Sequence, residues 1–156
     1  MATSRVELPT VPVAAYRATV PPAGLSAFYE RGYHAVRAAS AREGWRIAGP
    51  AIGWYSGRTS ESVDVAAAFP VEGAAAGARS GDVTVLDLPG GAALVLTHTG
   101  PYEGLLDAWR RLDEDRQVQG AARRGDFWEE YVVEPGPDIG PDDYVTRLVL
   151  PLVADV

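Results

Sequence analysis

The chain has 156 residues, and its 47% apolar and 22% charged shares are those of one ordinary globular domain with a sizeable core, not of a disordered or fibrous chain. A net charge of -7 argues against general nucleic-acid binding, which needs a basic face, but does not exclude a cationic ligand. Cysteine is absent and the only histidines are His34 and His98, which excludes disulfides, thiol nucleophiles, thiolate metal sites and a histidine-rich metal cluster.

No apolar run approaches the roughly 20 residues that span a bilayer. Residues 1–7 are polar and lack the apolar stretch of a signal peptide, so a cytoplasmic protein without a membrane partner is expected. Val6-Glu7-Leu8-Pro9 opens a first extended segment, which residues 13–20 continue after Pro12. The prolines predict an edge strand or a bent one. Pro21-Pro22 then suits a helix start, where a missing N–H does no harm. Leu25, Phe28, Tyr29, Gly32, Val36 and Ala39 form an apolar stripe at helical spacing, predicting a helix over 22–43 that Gly44 ends.

Gly49-Pro50-Ala51-Ile52-Gly53-Trp54-Tyr55 reads as a strand, residues 56–60 as a turn and residues 62–71 as the returning strand. Residues 73–81 are rich in Ala, Gly and Ser without an apolar anchor, which predicts a flexible linker. Residues 82–88 and 92–99 are extended on either side of Pro89-Gly90-Gly91. Tyr102, Leu105, Leu106, Trp109 and Leu112 then mark an amphipathic helix ending near Val118 before Gly120. Residues 135–141 are a loop, and residues 144–153 are the closing strand.

Before that loop comes Phe127-Trp128-Glu129-Glu130-Tyr131-Val132-Val133-Glu134, rich in aromatic and β-branched residues. Alternation in a strand puts Phe127, Glu129, Tyr131 and Val133 on one side, and Trp128, Glu130, Val132 and Glu134 on the other. A carboxylate among aromatic neighbours is costly unless paired or hydrogen-bonded. On spacing alone Glu129 reads as a solvated strand carboxylate, since glutamate is rarely buried. Glu130 and Glu134 read as solvated too, with Trp128 packed under the helix.

The chain also repeats itself. Val6-Glu7-Leu8-Pro9 matches Leu86-Asp87-Leu88-Pro89, Val20-Pro21 matches Gly100-Pro101, and Phe69-Pro70-Val71 matches Leu150-Pro151-Leu152, all at about 80 residues. A duplicated βαββ unit follows, with halves over 5–72 and 82–154 joined by 73–81. The expected fold is α+β: an antiparallel sheet with pseudo-two-fold symmetry, two helices packed on one face, and a ligand cleft between the halves. In this scheme residues 51–55 are the equivalent of the Glu129 strand, which places Trp54 and Tyr55 near the same groove. Only one of them can face the cleft, and the sequence leaves open which.

These stretches, with His98-Thr99-Gly100-Pro101-Tyr102, Trp128-Glu129-Glu130-Tyr131 and Thr146-Arg147-Leu148-Val149-Leu150-Pro151-Leu152, resemble the GyrI-like small-molecule-binding domain. That domain is also the effector-binding half of many MerR- and AraC-type regulators. The likeness covers nearly the whole chain in order, and it looks like a stand-alone member because Val6 already begins the domain. The resemblance implies an aromatic pocket whose glutamate and tyrosine map to Glu129 and Tyr131. Candidate ligand-binding residues are therefore Glu129, Tyr131, Trp54, Tyr55, Phe127, Tyr102 and Trp109, with no metal and no cofactor. Trp109 also reads as core, because it lies on the apolar helix stripe.

The partner so implied is a small, flat, hydrophobic or cationic aromatic molecule, bound without direct nucleic-acid contact. Relatives resembling hydrolases of cyclopropane-bearing alkylators imply an alternative, in which Glu129 and Tyr131 are catalytic. A gyrase-modulating role is a second alternative, for which the sequence has no clustered acidic stripe. His98 reads as structural, since nothing supplies the partners of a nucleophilic triad. Gly90-Gly91 is a turn and not a phosphate loop. Arg110-Arg111 and Arg123-Arg124 read as solvated charge. Oligomeric state is left open.

Overall fold

A computed structural model describes residues 3–153, apart from the side chain of Arg58. The first two residues of the polar N-terminus and residue 154 of the second repeat lie outside the described residues. Strands β1 (Ser4–Leu8) and β2 (Val11–Val20) precede helix α1 (Leu25–Glu43), which a single 3-10 turn introduces. Strands β3 (Arg46–Ile47), β4 (Ala51–Arg58), β5 (Val63–Glu72), β6 (Arg79–Ser80), β7 (Val83–Leu88) and β8 (Gly91–Thr99) follow. Helix α2 (Leu105–Gln119), again after a 3-10 turn, leads to β9 (Phe127–Val133) and β10 (Val145–Pro151). The fold is α+β, and its strand pairings are antiparallel. No helix among the described residues is long and apolar enough to cross a membrane.

The chain gathers into two compact units. The described residues as far as Leu8 join those from Gly90 onward in a C-terminal unit, and Pro9–Pro89 form a central unit. In the C-terminal unit the strand order is β1-β8-β10-β9. Helix α2 lies on this sheet, and Leu94, Leu96, Leu148 and Leu150 meet Ala108 and Leu112 beneath it. Each of these leucines, hidden from water, contributes about 1.5–3 kcal/mol. The buried stripe of α2 is centred on Leu105, Ala108, Trp109 and Leu112, whereas Leu106 is 61% exposed. It is one residue further round the helix than Leu105, and 100° of rotation carries it off the sheet.

The central unit has the order β4-β5-β2-β7-β6, with β3 paired to the end of β5. Helix α1 covers it through Phe28 against Val63, Val65 and Ala67. Gly44 ends α1 in the left-handed conformation, as its place after the stripe predicts. Strand β2 is interior, not the edge its prolines suggested. Pro12 pairs only with Asp87 of β7, and β5 joins β2 from Val13 onward, so the missing N–H falls where β2 has one neighbour. The β4–β5 turn sits at residues 59–62, later than expected. Ser56 is absorbed as a bulge between Tyr55 and Gly57, and the ladder runs on to Arg58. Within residues 73–81, β6 pairs with β7, and the hydroxyl of buried Ser80 accepts hydrogen bonds from Arg42 at 2.9 and 3.3 Å.

Candidate functional site

Strand β9 carries the site. Phe127 packs against the core under α2, so the Phe127, Glu129 and Tyr131 side of the strand is the helix side. Glu129 is only 8% exposed there. Its two carboxylate oxygens are each met by a neutral donor. Trp109 Nε1–H donates to Oε2 at 2.7 Å, and the Tyr131 hydroxyl donates to Oε1 at 2.7 Å. Trp109 thus serves both readings of its stripe position, packing on the core and presenting its N–H to the carboxylate. Phe127 meets the Trp109 ring edge-on at 5.1 Å. No cationic side chain among the described residues bonds Glu129, so its charge is solvated by dipoles but not neutralised.

Tyr102, in the turn before α2, closes one side. Its ring lies 6.0 Å from Tyr131 and 5.0 Å from Tyr144. Partial burial pushes the Tyr102 hydroxyl up to about 12, helped by the charges of Glu134, Tyr144 and Glu129. Glu134 takes part because the strand does not alternate to its end. Tyr131 pairs with Thr146, but Val133 pairs with Val145, so Val132 is an extra residue. The bulge puts Val133 on the Arg147 side of β10 rather than the Tyr131 side assigned by simple alternation, and the charge of Glu134 reaches Tyr102.

The opposite side of β9 also differs from expectation. Trp128 is buried, at 3% exposure, but faces away from α2, since the helix lies on the Glu129 side. Glu130 is not solvated: Trp128 Nε1–H donates to it at 2.9 Å, and Arg147 pairs with it at 3.2 Å. Here a carboxylate has its cation, in contrast to Glu129. Arg124 is likewise not free surface charge. It grips Asp126 at 2.7 and 2.9 Å and donates to the Gly90 carbonyl at 2.9 Å.

His98 is buried at the end of β8, and its Nε2–H donates to the Pro101 carbonyl at 3.0 Å. Its Nδ1 and the Thr146 hydroxyl, cross-strand neighbours, are buried without a hydrogen-bond partner. Tyr144, outside the candidate list, joins the aromatic group; its place at the start of the closing strand was the only sequence signal for it.

Glu129, Tyr131, Phe127, Trp109 and Tyr102 are therefore gathered in the C-terminal unit. Trp54 and Tyr55 belong to the central unit. Tyr55 points toward α1, packing against its core and bonding the Tyr29 hydroxyl, and Trp54 takes the other side of β4. Tyr29 stacks on Tyr33 at 5.5 Å, and Tyr33 donates to the Ile52 carbonyl at 2.9 Å. A groove of ≈ 280 Å³ in the same unit is lined by Arg17, Ala18, Thr19, Asp64 and Val65. It has no aromatic wall, and Thr19 already donates to Asp64 at 2.5 Å, so it does not suit a flat apolar molecule. No group of residues able to hold a metal is present among the described residues.

Among known structures, the EcmrR C-terminal domain is similar over 97% of both chains, with 19% identity and a TM-score of 0.78. EcmrR in its DNA complex aligns with a TM-score of 0.84 and 17% identity over 97% of this chain, which spans only 57% of that protein. SAV2435 bound to tetraphenylphosphonium has a TM-score of 0.67 at 15% identity, over 98% of this chain and 94% of that one. A hydrolase from Listeria innocua also reaches 0.67, at 12% identity, over 97% and 91%. No curated protein matches in sequence. At these identities the likeness is one of fold. The GyrI-like small molecule binding domain matches residues 1–153, and the chain belongs to that family.

Proposed function

We propose that this protein binds a small, flat, hydrophobic cation at the Glu129 cluster. The observation that carries the reading is a nearly buried carboxylate with two neutral donors and no cation of its own. A lipophilic cation would supply the missing charge without the hydration cost of an ammonium. The faces of Trp109, Tyr131 and Tyr102 would add contact area and cation–π attraction of about 0.5–2 kcal/mol each. The negative potential from Glu134 and Glu129 that helps keep the Tyr102 proton in place favours any other positive charge there as well. SAV2435, similar in fold, was captured with tetraphenylphosphonium, which shares the charge and the aromatic surface of such a ligand, though its four rings are tetrahedrally arranged. Titrating tetraphenylphosphonium against Trp fluorescence, with uncharged triphenylphosphine oxide as control, tests the proposal. Equal affinities for the two would remove the role of charge.

A second reading is favoured by the 2.7 Å contact between Tyr131 and Glu129 together with the fold shared with a hydrolase. In it, Glu129 takes a proton from water as the water oxygen bonds to a strained cyclopropane carbon; the ring C–C bond breaks, its electron pair passes into a carbonyl conjugated with the ring, and the resulting oxyanion takes up the proton. Incubation with a cyclopropane-bearing alkylator would then yield the ring-opened, water-added product. No turnover above buffer would leave binding alone.

A further inference from the structure

We propose that His98 is a positioning residue, holding Tyr102 at the Glu129 cluster through the Pro101 carbonyl. This rests on the reading of that cluster as the binding site. His98 is the penultimate residue of β8, three residues before Pro101, and Tyr102 follows Pro101 directly. The chain must turn between them to bring the Tyr102 ring back over Tyr131 and Tyr144. Two donors meet on the Pro101 carbonyl: Gly104 N–H at 3.1 Å and His98 Nε2–H at 3.0 Å. A carbonyl can only accept, so the ring nitrogen facing it carries a proton. The Gly100 N–H, donating to the Tyr144 carbonyl at 2.8 Å, ties the same turn to the start of β10.

Gly104 is shaped to this ring. A Cβ there would stand 2.7 Å from His98 Cε1 and 3.0 Å from Nε2, closer than side chains approach. The histidine thus sits flush against the first turn of the α2 segment, and the residue that would displace it is absent. Core filling alone would need neither the Nε2 donor nor the glycine. The pairing makes His98 a brace between the last residues of β8 and the backbone that carries Tyr102.

The test compares His98→Gln with His98→Asn. The Gln side-chain nitrogen reaches the place of Nε2, and the Asn nitrogen reaches that of Nδ1, so only the first restores the bond to Pro101. Two readouts are taken: tyrosinate formation at Tyr102 in ligand-free protein, identified by its loss in Tyr102→Phe, and affinity for tetraphenylphosphonium. His98→Gln is expected to keep the Tyr102 midpoint near 12, whereas His98→Asn and Gly104→Ala move it toward 10. The same two variants should bind about threefold to thirtyfold more weakly, as expected for one lost aromatic contact to a cation. Equal behaviour of the Gln and Asn variants in both readouts would overturn the proposal. The wild-type protein gives a check that needs no variant: the ¹⁵N signals of the His98 ring should report a slowly exchanging Nε2–H, and a ring protonated at Nδ1 alone would refute the brace. If tetraphenylphosphonium does not bind at all, the Tyr102 midpoint still decides the brace, and only the binding proposal fails.

Discussion

Glu129→Gln isolates the charge of the site with little change in shape. The glutamine oxygen can accept from Trp109 Nε1–H in place of Oε2, and its amide can donate to the Tyr131 oxygen, whose hydroxyl rotates to accept. Packing around the side chain is therefore retained. A cation resting on the Trp109 and Tyr131 faces would sit roughly 5–6 Å from the carboxylate, since both side chains touch it. Coulomb attraction at an effective dielectric constant of about 20 is then ~3 kcal/mol, and competition from water brings it to ~1.5–3 kcal/mol. The expected loss is about tenfold to 150-fold for tetraphenylphosphonium. Triphenylphosphine oxide, uncharged, should lose less than about threefold. Calorimetric titration of both ligands measures the two ratios. Glu130→Gln serves as the control, because Glu130 already has Arg147 and lies on the other side of β9. Losses of equal size for the charged and neutral ligands, or an equal effect of Glu130→Gln, would refute the electrostatic reasoning.

Tyr131→Phe removes one of the two donors to a nearly buried carboxylate and should lower stability by about 1–2 kcal/mol, read from the urea midpoint. An unchanged midpoint would mean that water replaces the hydroxyl freely. Leu112→Ala, at a fully buried position, should cost about 2–5 kcal/mol, and Leu106→Ala on the exposed side less than about 0.5 kcal/mol; similar costs would contradict the helix orientation. Tyr102 should be a late-ionising tyrosine in an alkaline titration. Folded protein holds its proton up to about 12 and the unfolded chain releases it near 10, so its contribution to stability is intact below 10 and is lost as pH rises toward 12. Glu134→Gln should lower the Tyr102 midpoint only in part, because burial is the larger cause.

Regular elements were readable wherever one physical cause dominates. The stripe from Leu25 to Ala39 and the closing Gly44 predict α1, and the structure has it over Leu25–Glu43. The second helix ends at its glycine in the same way, at Gly120. Expectation departs from structure where a side chain's surroundings depend on distant residues. Glu130 and Arg124 read as solvated, because part of what engages them, Arg147 and the Gly90 carbonyl, is remote in sequence, beside the nearby Trp128 and Asp126. Val132 has no local mark of a bulge. The extra residue emerges only from the register β10 imposes on β9, and Glu134 just beyond it joins Glu129 in acting on Tyr102.

The candidate site divides along the same line. Alternation along one strand already placed Phe127, Glu129 and Tyr131 together, since the period of two is a property of any extended backbone. The family motifs, which run in order along the chain, established the family from sequence alone. Whether Glu129 meets solvent, a cation or neutral donors was beyond local reading, because burial is a property of the assembled sheet and helix. Packing α2 on the Glu129 side set the Trp109 N–H against the carboxylate and left its charge without a counterion, a choice made by tertiary contacts among residues 109, 129 and 131.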